Sequence, residues 1–402
     1  MQEMSKKPSL DSEQIAALSK LRTALKKPLT WKKLDRLTQD LQLLQSVQSL
    51  EEKDKITIEK ILKLFQTANH CAFQNFPSIQ YHRVQEGSKE RPYQKKGRYY
   101  NYKGEKIWQQ LVKRLLLLFV GICHKPTFQD LTNWHRIAWQ PCARAQIPQF
   151  TWLGHSSLLL QAAQLNILID PTFHFVSPCF RRHTQAGISF EELPAIDLLA
   201  ISHNHADHFE KRTLRSLASF QPLVFVPKGL GKWFNQQGYL HVEESTWGSQ
   251  LLCQRETDQI KISAVPARHG SQTAIRDLNR SLWMGIVIEA EGKKFYIAGD
   301  TAYDTRYFEE IKQNFGEIDI PFLPISPEGE PALHLNHEDA LEAFEFLGAK
   351  TLVPIHWGAY RMGKERIEEP LEKFLHTLHN SPRWSKLKEK ILLPKIGEVI
   401  KP

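Results

Sequence analysis

Long apolar runs are missing from this chain of 402 residues. The longest, at residues 115–123, is nine residues long and follows Lys113-Arg114, whereas a helix that spans a bilayer needs about 20. With a mean hydropathy of −0.42, an integral membrane protein is excluded and a buried helix is expected there. Cysteine is sparse as well. Cys71, Cys123, Cys142, Cys179 and Cys253 are scattered and odd in number, so they form no complete disulfide framework. None has C-x-x-C spacing, which leaves them as small core residues and points to a reducing, cytoplasmic compartment. The opening residues are polar and charged without an apolar stretch or cleavage site, so no secretory signal is expected. There is no run of five or more Lys/Arg and no internal repeat of fixed period. Without them, a dedicated nucleic-acid tail has little support.

What is present divides unevenly. The net charge of +9 belongs to the first third: residues 1–130 hold 24 Lys+Arg against 13 Asp+Glu, a balance of +11, while residues 131–402 hold 29 against 31, a balance of −2. A basic surface serves solubility, anionic lipid or nucleic acid; a solvated face is the expectation, with peripheral membrane contact through this region left open. Leucines and isoleucines recur at helical spacing at about 15–25, 31–44 and 58–65, and 106–123 also reads as helix. Between 67 and 105 the pattern dissolves, and Lys95-Lys96-Gly97-Arg98-Tyr99-Tyr100-Asn101-Tyr102 reads as an irregular arm lying over a neighbouring domain. Residues 1–145 are therefore expected as a helical and irregular extension, and 146–402 as the main domain.

From about Pro148 the period shortens to that of strands. Short apolar runs stand at 150–153, 157–161, 167–171, 196–202, 223–227, 260–265, 284–288, 294–298, 320–324 and 351–355. Helical patterns intervene at about 209–219, 305–315, 337–347 and 364–379. Strands mixed with helices over 250 residues imply packed α and β layers.

The run 196–202 leads into His203-Asn204-His205-Ala206-Asp207-His208, three imidazoles and a carboxylate within six residues. Neutral imidazole and carboxylate suit divalent first-row metals, zinc above all. A loop leaving a buried strand is both rigid at its root and exposed at its tip. Three further strand ends finish on a metal-capable residue: His269 after Val265, Asp300 after Ala298, and His356 after Ile355. A lone histidine is more often structural; four strand ends converging share one economical explanation, a metal site.

His-x-His-x-Asp-His, followed at long intervals by His, Asp and His, resembles the metallo-β-lactamase superfamily over about residues 148–380. The resemblance implies an α/β fold, a four-layered αβ/βα sandwich, here with an N-terminal helical extension. It also implies two divalent metal ions, zinc by preference: His203, His205 and His269 on one, Asp207, His208 and His356 on the other, and Asp300 bridging. Within the superfamily, Thr151-Trp152-Leu153-Gly154-His155-Ser156, Asp170-Pro171, Ala298-Gly299-Asp300-Thr301, Ile355-His356-Trp357-Gly358 and Asp277-Leu278-Asn279 with Leu282-Trp283-Met284-Gly285 resemble the branch of N-acylphosphatidylethanolamine-hydrolysing phospholipase D and its bacterial relatives. By the same resemblance His337 lies near the substrate phosphate, and Asp207 and His337 are the candidate catalytic residues. His155 is expected to support the site from behind. Two segments depart from that branch. Residues 325–332 carry Glu328 and Glu330 where the pattern has a Pro-Arg pair, and Thr273 stands where many relatives carry arginine.

Two divalent ions about 3.5–4 Å apart lower the pKa of a bridging water to near 7 and neutralise charge on a phosphodiester and its leaving oxygen. A hydrolase using that hydroxide on a phosphodiester, a phospholipid of the N-acylphosphatidylethanolamine type included, is the leading expectation. Lactone hydrolysis, as in the ascorbate-phosphate lactonases, and nuclease action are the enzymatic alternatives; a binding protein that keeps the cluster only structurally is the remaining one.

Overall fold

The computed structural model describes residues 79–88, 91–101, 142–174, 176, 182–362 and 365–402. The helical patterns expected before residue 79 and at 106–123, with Cys71, Cys123 and Cys179, lie outside the described residues.

Period-2 alternation builds the layers. Along β5 (Ser157–Ala162), β6 (Leu165–Ile169), β7 (Leu198–Ala200) and β8 (Leu223–Pro227), one set of side chains, Leu158, Leu160, Ile167, Ile169, Leu198, Ala200 and Phe225, joins the core between two sheets. The alternate set, Leu159, Leu168, Leu199, Val224 and Val226, joins a second core with Leu214, Leu217 and Phe234 of α1 (Lys211–Leu217) and α2 (Gly231–Gln236). A strand buried on both faces reads as a nearly continuous apolar run, and these four do apart from Ser157, Gln161 and Asn166. Their sheet runs β16-β4-β5-β6-β7-β8-β9, where β4 is Gln149–Gly154, β9 Val242–Ser245 and β16 Val399–Ile400. It is antiparallel up to β6 and parallel beyond.

The facing sheet runs β1-β10-β11-β12-β13-β14-β15. Its strands are Gln80–Gln85, Gln250–Arg255, Asp258–Val265, Gly285–Ala290, Lys293–Ile297, Ile320–Pro324 and Val353–Ile355. Helices α3 (Thr305–Phe315), α4 (His337–Leu347) and α5 (Glu369–Asn380) cover it through Tyr307, Phe308, Ile311, Phe344 and Phe374. Each such side chain contributes about 1.5–3 kcal/mol on burial. The order is helix, sheet, sheet, helix. Both sheets change from antiparallel to parallel, because β13, β14 and β15 are joined through helices, as are β7 and β8.

The stretch expected as an extension takes part in this sandwich. β1 pairs with β10 at the sheet edge, and β2 (Tyr93–Lys95) and β3 (Arg98–Tyr100) form a hairpin rather than an irregular arm. Lys96 and Gly97 both have positive φ, 51° and 69°, the two-residue turn that matches strand twist. Tyr99 is buried in the main core. This hairpin leaves little trace in the sequence because each of its strands has only three residues. β9, β10 and α2 are equally faint there, since their half-exposed patterns carry too few apolar residues to show a period.

Asp197, just before β7, takes two bonds from Arg144 at 2.6 and 3.0 Å, one from Arg255 of β10 at 3.1 Å and one from the Asn166 amide at 2.8 Å. This buried carboxylate ties the two sheets together at the start of the strand whose far end carries the histidine cluster. A buried charge is tolerated when so fully paired.

Candidate metal centre

At the other end of the strands, six loops meet. His203 to His208 follow β7, Asp170 follows β6, His269 follows β11, Asp300 follows β13, Ser326 follows β14 and His356 follows β15. Gly299, before Asp300, has φ +59° and lies so close to Ser202 that an added Cβ would stand 2.8 Å from its Cβ. Only glycine lets these two loops approach. His155 and His356 also adopt positive φ, 57° and 66°, uncommon for residues with a Cβ. Their backbones hold each other, the His356 N–H donating to the His155 carbonyl at 3.0 Å and the His155 N–H to the Trp357 carbonyl at 3.3 Å.

Around Asp300 the side chains form two largely buried sets of potential ligands, with His155 and His334 close enough to join them. In one, His203 Nε2 and His269 Nε2 lie 2.8 and 3.0 Å from His205 Nδ1, and 3.6 and 3.5 Å from Asp300 Oδ2. In the other, His208 Nε2 and His356 Nε2 lie 3.2 and 3.0 Å from Asp300 Oδ1, and 3.6 and 3.5 Å from Asp207 Oδ2. Asp300 thus faces both groups, one oxygen to each.

The outer hydrogen bonds decide what the inner nitrogens are. Ser202 donates its hydroxyl to Asp170 at 2.6 Å, so its oxygen accepts from His203 Nδ1–H at 2.9 Å. His208 Nδ1–H donates to Asp170 at 2.8 Å, His269 Nδ1–H to the Leu333 carbonyl at 2.8 Å, and His356 Nδ1–H to the Ser326 carbonyl at 2.8 Å. Each outer partner can only accept, so in the neutral ring the proton sits on Nδ1 and a lone pair on Nε2 points inward. Lone pairs and carboxylate oxygens then face each other at 2.8–3.6 Å, an arrangement that repels unless cations stand between them. His208 Nε2, His356 Nε2 and Asp300 Oδ1 are buried with no hydrogen-bond partner, which a structural polar network would not leave. Ligands held by such outer partners are the usual construction of a metal site.

Protons alone settle here as charge. Burial opposes the charged form of His208, but Asp300, Asp207 and Asp170 carry its pKa well above the ordinary value. His356, likewise opposed by burial, is lifted to about 9 by Asp300 and Asp207. Burial would raise Asp207 and Asp300, yet the surrounding imidazoles, His208 foremost, hold both well below the carboxylate range. His203 is pushed well down by burial and by His208.

All seven residues expected as ligands are brought together. His155 stands behind them, its Nε2 2.9 Å from Asp207 Oδ2 and its ring 4.1 Å from that of His356; burial and His356 lower its pKa to about 3. His337 begins α4, its Nδ1 paired with Glu328, and belongs to neither ligand group, in which it was not expected. The imidazole at the centre is His334, which sequence reasoning missed. It is 6% exposed, with Nδ1 3.7 Å from Asp300 Oδ2 and its ring 4.9 and 5.5 Å from those of His269 and His356. Both histidines sit in a segment without apolar period, and only the capping box of Asn336 and Asp339 could have told them apart by placing His337 inside the helix.

Comparison with known proteins gives the same picture. The Beta-lactamase superfamily domain matches residues 165–357. The chain is 31% identical over 243 residues to N-acyl-phosphatidylethanolamine-hydrolyzing phospholipase D 1 of Caenorhabditis elegans, covering 56% of this chain and 67% of that protein. It is 31% identical over 261 residues to the mitochondrial N-acyl-phosphatidylethanolamine-hydrolyzing phospholipase D of Saccharomyces cerevisiae, covering 62% and 54%. A metal-dependent hydrolase of Lysinibacillus sphaericus is also 31% identical over 240 residues, covering 58% of this chain and 93% of that one. The match thus spans between about half and two thirds of the two phospholipases. A possible metal-dependent hydrolase from Veillonella parvula has the same fold, with 16% identity, a TM-score of 0.51, and coverage of 64% of this chain and all of that one.

Two mixed sheets between helices, with a binuclear His/Asp site at the loop ends, define a class of metal-dependent hydrolases. The chain belongs to the metallo-β-lactamase superfamily.

Proposed function

We propose that the protein is a phosphodiesterase of phospholipase D type, acting on N-acylphosphatidylethanolamine-like lipids or a related phosphodiester. The observation that carries this reading is Asp300, a carboxylate presenting one oxygen to each of two ligand groups. The names of the worm and yeast relatives supply the substrate class. His203, His205 and His269 would hold one divalent cation, and Asp207, His208 and His356 the other, with Asp300 shared and zinc the fitting ion for this donor set. Bound there, two cations would supply hydroxide at neutral pH and would neutralise charge on phosphate oxygens.

The chain's own residues do the rest. Asp170, Ser202, Ser326 and Leu333 keep four imidazoles in the tautomer that turns Nε2 inward. His155 steadies Asp207 through its Nε2. His334, buried beside Asp300 and between two ligand rings, is the residue we assign to the substrate: an imidazole there can hydrogen-bond a phosphate oxygen or protonate the leaving alkoxide. Thr273, at a position that departs from the phospholipase branch, is turned to its own loop, its N–H donating to Asp277 at 3.0 Å.

Membrane contact through the basic first third is part of the proposal. Residues 106–123 are outside the described part, and among the described residues no helix is long and apolar enough to cross a membrane. The test assays N-acylphosphatidylethanolamine, small phosphodiesters, lactones and RNA side by side, with Asp300→Ala as control. We expect phosphodiester turnover that Asp300→Ala abolishes; turnover of lactones alone would overturn the phosphodiesterase reading.

A further inference from the structure

His269 is the ligand candidate least supported by its own element. It lies four residues past the end of β11, in a stretch without regular structure, so its backbone N–H and C=O have no ladder to join and need partners elsewhere. One side chain supplies both. The His269 N–H donates to Asn101 Oδ1 at 3.0 Å, and Asn101 Nδ2 donates to the His269 carbonyl at 2.9 Å. A carboxamide is the side-chain group that offers a donor and an acceptor side by side, and it matches a peptide unit's own pair. Asn101 is only 7% exposed.

Asn101 is itself anchored. It follows directly on the hairpin β2–β3, whose Tyr99 N–H donates to the Asn279 carbonyl at 2.7 Å and whose Arg98 guanidinium reaches the Leu278 carbonyl. Tyr307 of α3 donates its hydroxyl to the Asn101 carbonyl at 2.8 Å. Asn279 in turn closes the loop after His269, its side chain accepting from the Ser271 N–H at 3.0 Å and its own N–H donating to the Ser271 carbonyl at 2.6 Å. With Leu333 holding Nδ1, His269 is fixed at its ring and at both backbone polar groups by two separate segments.

We infer that Asn101 is a positioning residue for the metal centre: the hairpin 93–100, far upstream of the ligand cluster in sequence, sets the place of His269 through it. This rests on the metal-site reading above, in which His269 is a ligand. The consequence is that the part of the chain before residue 146 is required for the affinity and geometry of the cation held by His203, His205 and His269.

The test uses the full chain with Asn101→Ala, and Asn101→Asp as a second variant that keeps the shape while turning the donor to the His269 carbonyl into a carboxylate oxygen that faces it. Zn2+ affinity is measured by chelator competition, the Co2+ ligand-field spectrum is recorded, and thermal unfolding is followed in excess chelator. Loss of an outer partner of a metal ligand lowers affinity about 10–100-fold. We expect that loss for one of the two cations, with an altered Co2+ spectrum, beyond any fall in unfolding midpoint that the two lost backbone bonds cause in the stripped protein. If Asn101→Ala does not fold, the same shifts are expected of Asn101→Asp. Wild-type affinity and spectrum in the folded variants would overturn the inference, as would a lowered midpoint with affinity unchanged. Wild-type protein that binds no cation would overturn the metal-site reading itself, and this inference with it.

Discussion

Asp170 is the carboxylate on which most of the centre's geometry depends, and Asp170→Asn changes it by one atom. Fully buried, it accepts the Ser202 N–H at 2.7 Å on Oδ1, and the Ser202 hydroxyl at 2.6 Å and His208 Nδ1–H at 2.8 Å on Oδ2. Asparagine can keep the first bond with its carbonyl oxygen. Its NH2 then faces two groups that were donating. The serine can adapt, because a hydroxyl oxygen has two lone pairs and can accept from the new amide as well as from His203. His208 cannot adapt without cost: to accept at Nδ1 it must move its proton to Nε2, which faces Asp300 and Asp207. Restoring the inward lone pair forfeits a hydrogen bond to a charged group, about 1.5–3 kcal/mol. At about 1.4 kcal/mol per decade, that is a loss of roughly 10–100-fold in affinity for the cation held by His208 and His356. Chelator competition at fixed pH should resolve two cations of similar affinity in the wild type and one weakened cation in the variant, with circular dichroism unchanged. Two wild-type affinities in Asp170→Asn, or a loss confined to the other cation, would refute the tautomer argument.

Exchanging each of two histidines near the centre separates their roles: His334→Gln is expected to lower kcat about 10²–10⁴-fold if the ring transfers a proton to the leaving group, whereas His337→Gln, which removes a half-buried partner of Glu328, should stay within tenfold of wild type; the reverse order in steady-state assays would return the substrate-facing role to His337. For chelator-stripped protein, His356 is raised from 6.5 to about 9, so it contributes stability that is fully present below about pH 6.5 and is lost as pH rises through 9. Thermal unfolding should therefore show the stripped form weakening across that window, while Zn2+ uptake, which must expel the same proton, tightens over it and releases protons measurable by a pH indicator; a flat profile in both would contradict the charge pattern assigned to the cluster.

Much of the hydrolase half is legible in the order of its residues. The strands at 157–162, 223–227 and 320–324, with helices at 305–315 and 337–347, emerge where expected because strands buried on both faces are largely apolar and because helices covering a sheet must repeat with a helical period. The candidate ligands are legible for a different reason: metal coordination restricts residue type to a few kinds, His and Asp among them, and the strand ends give them regular positions. Hidden from the sequence is whatever depends on exposure or on contact across the chain. The edge strand Gln80–Gln85 has a half-exposed pattern and takes its place from pairing with β10. His334 and His337 are chemically alike and three residues apart, and only the turn into α4 sets one beside Asp300 and the other against Glu328.

The kind of chemistry follows from residue type and order, since seven His and Asp residues at strand ends admit little other than a pair of divalent cations. How those residues are held is a property of the packed sheets. Asp170, Ser326, Leu333 and Asn101 orient the ligands through hydrogen bonds made across 30 to 168 positions of chain, and a bond between distant residues leaves no periodic trace in sequence because its partners are neighbours only after the two sheets have packed.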